Sequence, residues 1–403
     1  MMRKMNKKRG DNMYTLIKNS EVYTPTYIGK KDMLIVGDRI EAIEDEIELT
    51  GKGWEGTVVN GEDMVVIPGL IDSHVHIIGG GGEGGYKTRT PELTLTDATT
   101  VGVTTVVGVI GTDGTTRTMP DLIAKAHALE EEGVSCFVLV GSYQLPIKTL
   151  TGTLQSDLLL IDKIIGVGEI AISDHRSSQP TIQELTRVAA EARVGGMLAG
   201  KGGIVNIHVG DSPEKLRLLE EVVATSDVPV TQFLPTHINR NQDLFWAGVE
   251  YAKKGGIVDF TTSSIPQFRK EGEIKPSTGL KMMLEQGVPL ENITFTSDAQ
   301  GSLPAFNESG EYQGLQIGKM ASLFSEVRDA VIAEQLPLDV VLHVVTKNPA
   351  RGLKLRKKGE IQPGFDADLV MIERDSFTIH HVFAKGQHMV QEGQAIVKGT
   401  FDM

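Results

Sequence analysis

Residues 64–76 read MVVIPGLIDSHVH, an apolar run that ends in two histidines, and this stretch decides the fold. An unbroken run of apolar and β-branched residues is typical of a strand that is buried on both faces, as in a parallel sheet. His74 and His76 are two residues apart, so they lie on the same face of that strand. The stretch therefore predicts a buried parallel strand that carries two imidazoles at its carboxyl end.

Seven similar apolar runs follow, and segments with helical spacing separate most of them. The runs are VTTVVGVIG (103–111), VSCFVLVGS (134–142), IIGVGEIAIS (164–173), GGIVNIHVGD (202–211), VTQFLPTH (230–237), GIVDFTTSS (256–264) and NITFTSDA (292–299). Strands that alternate with helices predict an α/β fold with a parallel sheet. A doubly wound open sheet would satisfy the same alternation, but the count of eight favours a (β/α)8 TIM-like barrel.

The helix-like segment SPEKLRLLEEVVATS (212–226) illustrates how the helices are recognised. Its apolar residues recur at helical spacing. Ser212 followed by Pro213 predicts the N-cap and the first helical residue.

Both ends of the chain differ from this pattern. Residues 14–62 and 358–400 contain short strand-like pieces with turn signals between them and no helical spacing. Neither end is long enough to form an independent domain, so we expect the two to pair into one small β-sandwich domain beside the barrel. The predicted boundaries are 1–64 and 351–403 for that small domain and 65–350 for the barrel.

Composition excludes several classes of protein. The chain has 403 residues and a net charge of −13, which argues against a nucleic-acid or anionic-membrane partner. Its single cysteine, Cys136, cannot form an internal disulfide, so a reducing cytoplasm is expected. The basic N-terminus (1–10) lacks the apolar segment of a secretory signal. No run approaches the roughly 18 apolar residues of a membrane span, so a soluble protein is expected.

Polar residues with metal-binding chemistry recur at the predicted strand ends, where a parallel barrel builds its active site. They are His74, His76, Glu169, His208, His237 and Asp298. Each histidine alone is weak support for a site, but the set comes from five different strands. Imidazole nitrogens with carboxylate oxygens suit zinc or a similar divalent ion.

Several motifs resemble the amidohydrolase superfamily, and within it the isoaspartyl dipeptidases. The motifs are PGLIDSHVHIIGGGGEGG (68–85), AISDHRSS (171–178), LPTHINRN (234–241), TSDAQGS (296–302) and GEIQPGFDADLV (359–370). The resemblance implies a metal-dependent hydrolase that cuts the isopeptide bond of β-aspartyl dipeptides. It also implies a homo-oligomer, such as an octamer.

The resemblance implies two zinc ions and a role for each ligand. His74, His76 and Asp298 match the ligands of one ion, and His208 and His237 match those of the other. The nucleophile of such enzymes is a hydroxide between the ions. Asp298 matches the general acid/base, and Tyr143 matches the tyrosine that stabilises the tetrahedral oxyanion.

The resemblance also implies a set of substrate-binding residues. Glu83 matches the residue that pairs with the substrate's α-ammonium group. Arg176, Arg240 and Ser302 match the groups that hold the two carboxylates, and Gly81 and Thr112 add further contacts. The planar fork of arginine suits carboxylates well.

Glu169 departs from the family pattern, in which a carboxylated lysine bridges the two metals. Lys163 lies six residues upstream, roughly 20 Å along an extended strand, and cannot replace it. Glutamate supplies the same bridging carboxylate but reaches roughly 3–4 Å less far. Either the metals shift toward the strand, or one zinc site alone stays fully occupied.

Two other functions fit the same sequence. One is a different amidohydrolase, acting on a cyclic amide like dihydroorotase or hydantoinase, or on an N-acyl amino acid like a deacetylase. Glu83 argues against it, since those substrates lack a free α-ammonium group. The other is a non-catalytic assembly protein, but such proteins usually lose metal ligands, and here the histidines and Asp298 remain.

Overall fold

The computed structural model describes residues 14–49, 55–307, 309 and 311–402, so parts of the predicted 1–64 segment, including the basic N-terminus, lie outside the described residues. The chain begins with five strands that do not belong to the barrel. They are β1 (Tyr14–Tyr23), β2 (Tyr27–Val36), β3 (Arg39–Glu44), β4 (Gly56–Asn60) and β5 (Met64–Pro68).

Each of the eight apolar runs contains one strand of a parallel barrel, so the predicted (β/α)8 barrel is confirmed. These strands are β6 (Leu70–Val75), β7 (Val103–Gly108), β8 (Ser135–Val140), β9 (Ile164–Ile172), β10 (Ile204–Val209), β11 (Phe233–Thr236), β12 (Val258–Thr261) and β13 (Ile293–Thr296). Strands β6 to β11 form one sheet in chain order, and β12 pairs with β13. Every residue of β6 and β9 is buried, which explains why these runs lack a polar alternation.

Single backbone hydrogen bonds link the two sheets into a ring. Between β11 and β12, the Ile238 N–H donates to the Asp259 carbonyl at 3.2 Å. Between β13 and β6, the His76 N–H donates to the Ala299 carbonyl at 3.0 Å. The carboxyl ends of all eight strands therefore face the same side of the barrel.

Helices surround the barrel. They are α1 (Leu95–Thr99), α2 (Met119–Glu132), α3 (Leu154–Leu160), α4 (Ile182–Ala199), α5 (Arg217–Thr225), α6 (Gln242–Lys253), α7 (Pro266–Lys270), α8 (Pro276–Glu285), α9 (Ala321–Ile332), α10 (Leu338–His343) and α11 (Lys347–Gly352). Among the described residues, none of the helices combines the length and apolarity needed to cross a membrane.

The predicted start of α5 is wrong. The helix begins at Arg217 with Leu216 as its N-cap, several residues after the Ser212–Pro213 pair. Lys215 has a φ of 50°, in the left-handed region, which a right-handed helix cannot contain. The Ser212 N–H donates to the Ser173 carbonyl at 3.1 Å, so this segment is a turn held against the end of β9.

After the barrel come an exposed hairpin and the C-terminal strands. The hairpin is β14 (Ser302–Phe306) with β15 (Tyr312–Ile317), and the later strands are β16 (Leu369–Glu373), β17 (Ile379–Ala384), β18 (Gln387–Gln391) and β19 (Gln394–Ala395). Strands from both ends of the chain form one nine-stranded sheet in the order β19-β18-β17-β16-β5-β1-β2-β3, with β4 beside β1. The small domain therefore forms from both termini, as its short strand pieces predicted.

Residues 64–76 form two strands, whereas the sequence predicted one. Pro68 ends β5 of the small domain, and Leu70 begins β6 of the barrel. The Gly69 N–H donates to the Asp368 carbonyl at 2.8 Å, whereas the Leu70 N–H donates to the Gly102 carbonyl at 3.0 Å. The amides of Gly69 and Leu70 thus bond to different sheets. The predicted domain boundary at residue 64 falls on the first residue of β5.

Candidate metal centre and active site

The predicted metal ligands all lie at the carboxyl ends of barrel strands. His74 and Glu169 lie within β6 and β9, His208 lies in β10, His76 and His237 directly follow β6 and β11, and Asp298 lies two residues after β13. The histidines and Glu169 are buried, and the Asp298 side chain is 22% exposed. The barrel therefore brings these residues to one place.

The Glu169 carboxylate lies among the four imidazoles. Its Oε2 is 3.1 Å from His74 Nε2, 3.4 Å from His208 Nδ1 and 3.9 Å from His237 Nε2, and its Oε1 is 3.6 Å from His76 Nε2. Lys163 is at the other end of β9, where its Nζ donates to the Cys136 carbonyl at 2.9 Å. Glu169, and not Lys163, therefore lies among the predicted metal ligands.

Two groups of side chains have the spacing of a metal site. One consists of His74, His76 and Asp298, and the other of His74, Glu169 and His237; the candidate ligand atoms of each group lie within 4.8 Å of one another. Asp298 Oδ1 is 3.1 Å from His76 Nε2 and 3.7 Å from His74 Nε2. His208 is outside both groups, although its Nδ1 faces Glu169.

These residues fit a divalent metal chemically. His74 Nε2, both Glu169 oxygens and Asp298 Oδ1 are buried and have no hydrogen-bond partner within the described ranges. A buried polar atom without a partner costs free energy. Several such atoms that converge from three strands are what a metal ion would satisfy, and nitrogen with oxygen donors suits zinc.

The electrostatics of the cluster also favour a cation. Burial opposes a charge on His74, but the nearby Glu169 carboxylate raises the pKa of His74 to about 10. Burial alone would raise the pKa of Glu169, whereas His74 and His208 hold it well below its ordinary value. Burial and the nearby His208 keep the pKa of His237 well below its usual range, so this imidazole is neutral, as a metal ligand must be.

Asp174 is a buried carboxylate that the sequence interpretation did not single out. Its Oδ2 is 3.0 Å from His208 Nε2 and accepts a hydrogen bond from Arg176 Nη2 at 2.7 Å. A proton on His208 Nε2 leaves Nδ1 free to face Glu169, which is how outer carboxylates orient metal-binding histidines. In the sequence, the position of Asp174 two residues before Arg176 was the one feature that could have pointed to it.

Tyr143 lies at the edge of the cluster. Its hydroxyl is 2.8 Å from His208 Nδ1, and its ring lies 5.3 Å from the Arg176 guanidinium carbon. Burial raises the pKa of Tyr143 well above its usual value, so the phenol stays a neutral hydrogen-bond donor. The Arg176 guanidinium meanwhile connects Tyr143 and Asp174.

Three of the predicted substrate-binding residues meet beside the metal cluster. Thr112 Oγ1 donates to Glu83 Oε1 at 2.8 Å, and Arg176 Nη1 is 3.5 Å from the same oxygen. A cavity of about 330 Å³ is lined by Gly81, Gly82, Glu83, Gly85, Tyr86, Arg89, Thr112 and Asp113. Arg176 Nη2 also lies 3.3 Å from His208 Nε2, so the Glu83–Arg176 pair adjoins the candidate metal site.

The other three predicted substrate-binding residues are Gly81, Arg240 and Ser302. Gly81 packs against Ser302, since a Cβ added to Gly81 would lie 3.0 Å from the Ser302 Cβ. Arg240 follows His237, and its backbone N–H donates to the His237 carbonyl at 3.1 Å. The half-buried Arg240 side chain adds positive charge near His237 and Tyr143.

Comparison with known proteins agrees with this architecture. A sequence profile of the amidohydrolase family matches residues 249–389. The crystal structure of a β-aspartyl dipeptidase from the keratin-degrading thermophile Fervidobacterium islandicum AW-1, in complex with the dipeptide β-Asp-Leu, superposes with a TM-score of 0.87. The two sequences are 42% identical, and the match covers 97% of this chain and 100% of the other.

More distant relatives share the fold but differ in name. A dihydroorotase from Lactobacillus gasseri is 24% identical over 396 residues, which cover 90% of this chain and 89% of the relative. The structure of a D-hydantoinase superposes with a TM-score of 0.66 at 15% identity, covering 96% of this chain and 97% of the other. Because these relatives carry different names, the similarity to them supports the fold and leaves the substrate open.

Proposed function

The chain belongs to the amidohydrolase family, and within it we propose that this protein hydrolyses the isopeptide bond of β-aspartyl dipeptides. One observation carries the proposal: Thr112 and Arg176 both contact the Glu83 carboxylate, and Arg176 Nη2 lies 3.3 Å from His208 Nε2 of the buried histidine–carboxylate cluster. A β-aspartyl dipeptide offers one ammonium group and two carboxylates around its isopeptide bond. The site supplies an opposite charge for each kind of group.

His74, His76 and Asp298 would hold one metal ion, and His208 and His237 a second, with Glu169 bridging them. Zinc suits this donor set, with two ions expected and a single fully occupied site as the alternative. A bound divalent ion acts as a Lewis acid and lowers the pKa of water toward neutrality.

Asp298 is the proposed general acid/base. Its Oδ1 lies 3.1 Å from His76 Nε2, at the mouth of the cluster. The carboxylate takes a proton from the attacking water while the water oxygen bonds to the carbonyl carbon. As the carbon–nitrogen bond breaks, Asp298 passes that proton to the leaving amine.

Tyr143 is the proposed donor to the oxyanion. Because its phenol is neutral and buried, it can donate a hydrogen bond where negative charge develops on the carbonyl oxygen. The hydroxyl lies 2.8 Å from His208 Nδ1, so it contacts the cluster directly.

The substrate-binding roles follow from charge. Glu83 pairs with the α-ammonium group, and Thr112 keeps its carboxylate in place. Arg176, Arg240 and Ser302 are proposed to hold the two carboxylates, and Gly81 leaves room for the substrate backbone. Cytoplasmic location and a homo-oligomeric state stay predictions.

Dihydroorotase-like hydrolysis is the second candidate, since the relative from Lactobacillus gasseri carries that name. Dihydroorotate has no ammonium group, so it would offer Glu83 no cationic partner. A non-catalytic role is disfavoured by the partnerless buried atoms of His74 and Glu169. A purified chain without bound metal would support that role.

A substrate panel tests the proposal. The zinc-loaded enzyme is assayed with β-Asp-Leu, dihydroorotate and an N-acyl amino acid, and metal is counted per chain. We expect β-Asp-Leu to be hydrolysed with the highest kcat/KM. Faster turnover of dihydroorotate or of the N-acyl amino acid would overturn the proposal.

A further inference from the structure

The segment Ile78–Gly85, here called the glycine loop, has a built shape. Gly79 and Gly81 have φ values of 78° and 63°, which side-chain-bearing residues rarely adopt. A Cβ on Gly79 would lie 2.2 Å from the Thr90 carbonyl oxygen, and one on Gly81 would lie 2.6 Å from that of Thr88. The loop is therefore packed tightly against the chain that follows it.

Arg117 binds the backbone of this loop. Its Nε donates to the Ile78 carbonyl at 3.2 Å, its Nη2 to the Gly80 carbonyl at 2.7 Å and its Nη1 to the Gly81 carbonyl at 3.4 Å. The residue is 3% exposed. One planar guanidinium thus donates to three backbone carbonyls of the glycine loop, of which the Gly80 carbonyl also accepts from Thr90.

Thr90 holds the loop from its other edge. The Gly80 N–H donates to Thr90 Oγ1 at 2.6 Å, and the Thr90 N–H donates to the Gly80 carbonyl at 3.0 Å. Gly80 is therefore fixed on both sides, by Thr90 and by Arg117. Glu83 follows only three residues later, so its position depends on this clamp.

The charge of Arg117 is not used in a close ion pair. Within the described part of the chain, its nearest carboxylate is that of Asp113, at 3.9 Å, and Asp113 is bound more closely by Arg89, at 2.8 Å. Burying a guanidinium is costly unless its donors are satisfied. Here the loop carbonyls satisfy them, so the residue's contacts are directed at the loop.

We propose that Arg117 is a positioning residue that sets the glycine loop so that Glu83 meets the ammonium end of the substrate. The part of this inference that concerns the substrate's ammonium group rests on the proposed β-aspartyl dipeptidase function. Among the described residues, the Arg117 side chain donates hydrogen bonds to the loop carbonyls of Ile78, Gly80 and Gly81, and to none of the candidate metal ligands or predicted carboxylate-binding residues. Its effect must therefore act through the loop.

The test compares Arg117→Gln with Arg117→Lys and with a matched control, Arg351→Gln. Arg351 also donates to a backbone carbonyl, that of Glu291, but on another part of the barrel. In Arg117→Gln we expect KM for β-Asp-Leu to rise roughly 10- to 100-fold, with kcat changed much less. Arg117→Lys should be intermediate, because a lysine keeps the charge but not the fork.

Amide hydrogen exchange of residues 79–90 gives a readout that does not need turnover. We expect faster exchange in this segment for Arg117→Gln and unchanged exchange for Arg351→Gln. Unchanged exchange, or faster exchange with an unchanged KM, would overturn the inference; if Arg117→Gln does not fold, Arg117→Lys carries the same readouts. A wild-type enzyme inactive on β-Asp-Leu would instead contradict the proposed function.

Discussion

Two carboxylates in the site have different surroundings and therefore different tasks. Glu169 is fully enclosed by imidazoles, which hold its pKa low and keep it ionised as a ligand. The Asp298 side chain is 22% exposed, so solvent reaches it. We therefore propose that Glu169 serves as a permanently ionised ligand, whereas Asp298 combines metal binding with proton transfer.

Asp298→Asn should abolish most turnover while leaving metal bound. Asparagine keeps an oxygen that can act as a ligand, but it cannot carry the proton. We expect kcat for β-Asp-Leu to fall roughly 10²- to 10⁴-fold. Steady-state kinetics together with metal analysis check this, and retention of more than about a tenth of the activity would remove Asp298 from the acid/base role.

Glu169→Ala should lose at least one metal ion per chain, because the carboxylate that faces all four imidazoles disappears. Glutamate is also a permanent carboxylate, so apo-protein reloaded with zinc should recover activity without added bicarbonate. Metal analysis of the variant and reconstitution of the wild type check the two expectations. Two metals retained in Glu169→Ala, with activity near wild type, would mean that Glu169 does not bridge.

At the scale of elements, the described barrel strands form no continuous ladder between β13 and β6, and none between β11 and β12. Asp259 of β12 spans this gap, since its carboxylate accepts hydrogen bonds from Thr236 of β11 at 2.6 Å and from Thr294 and Thr296 of β13 at 2.7 and 2.6 Å. Burial outweighs these hydrogen bonds and raises the pKa of Asp259 to about 6.

This shift predicts a pH-dependent stability. The pKa of Asp259 in the folded protein, about 6, exceeds the ordinary 3.8. The protonated carboxyl therefore adds to the free energy of unfolding, fully below about pH 3.8, and this contribution is lost as the pH rises through 6. Relative to Asp259→Asn, the wild type should lose about 1.5 kcal/mol of unfolding free energy between pH 5 and 7.5. Denaturant unfolding checks this, with the exposed Asp375→Asn as control; a difference that does not fall with pH would contradict it.

The strands were predictable from the sequence because burial on both faces leaves a clear mark, as the fully buried β6 and β9 show. The helix start at Arg217 was not, because the left-handed Lys215 leaves no mark in its residue type. The split of residues 64–76 at Gly69 was also hidden, since both halves are apolar and only tertiary contacts assign them to different sheets.

At the scale of the whole molecule, the barrel collects residues that are far apart in sequence into one site. Single strand ends were enough to propose the metal ligands, because parallel strands all deliver their carboxyl ends to one face. Arg117 could not be identified in this way, because it lies in a Thr-rich loop and acts on carbonyls 36 to 39 residues earlier. Contacts between backbone and side chain have no periodic signature in a sequence.

The proposed site should distinguish β-aspartyl from α-aspartyl dipeptides. The ratio of kcat/KM for β-Asp-Leu to that for α-Asp-Leu tests this most directly. The two isomers have the same atoms and charges, and differ only in which carboxyl group forms the amide. With Glu83 and Arg176 set at fixed positions around the metal cluster, we expect the β isomer to be preferred roughly 100-fold or more. Equal hydrolysis of both isomers, or a preference for α-Asp-Leu, would contradict the claim.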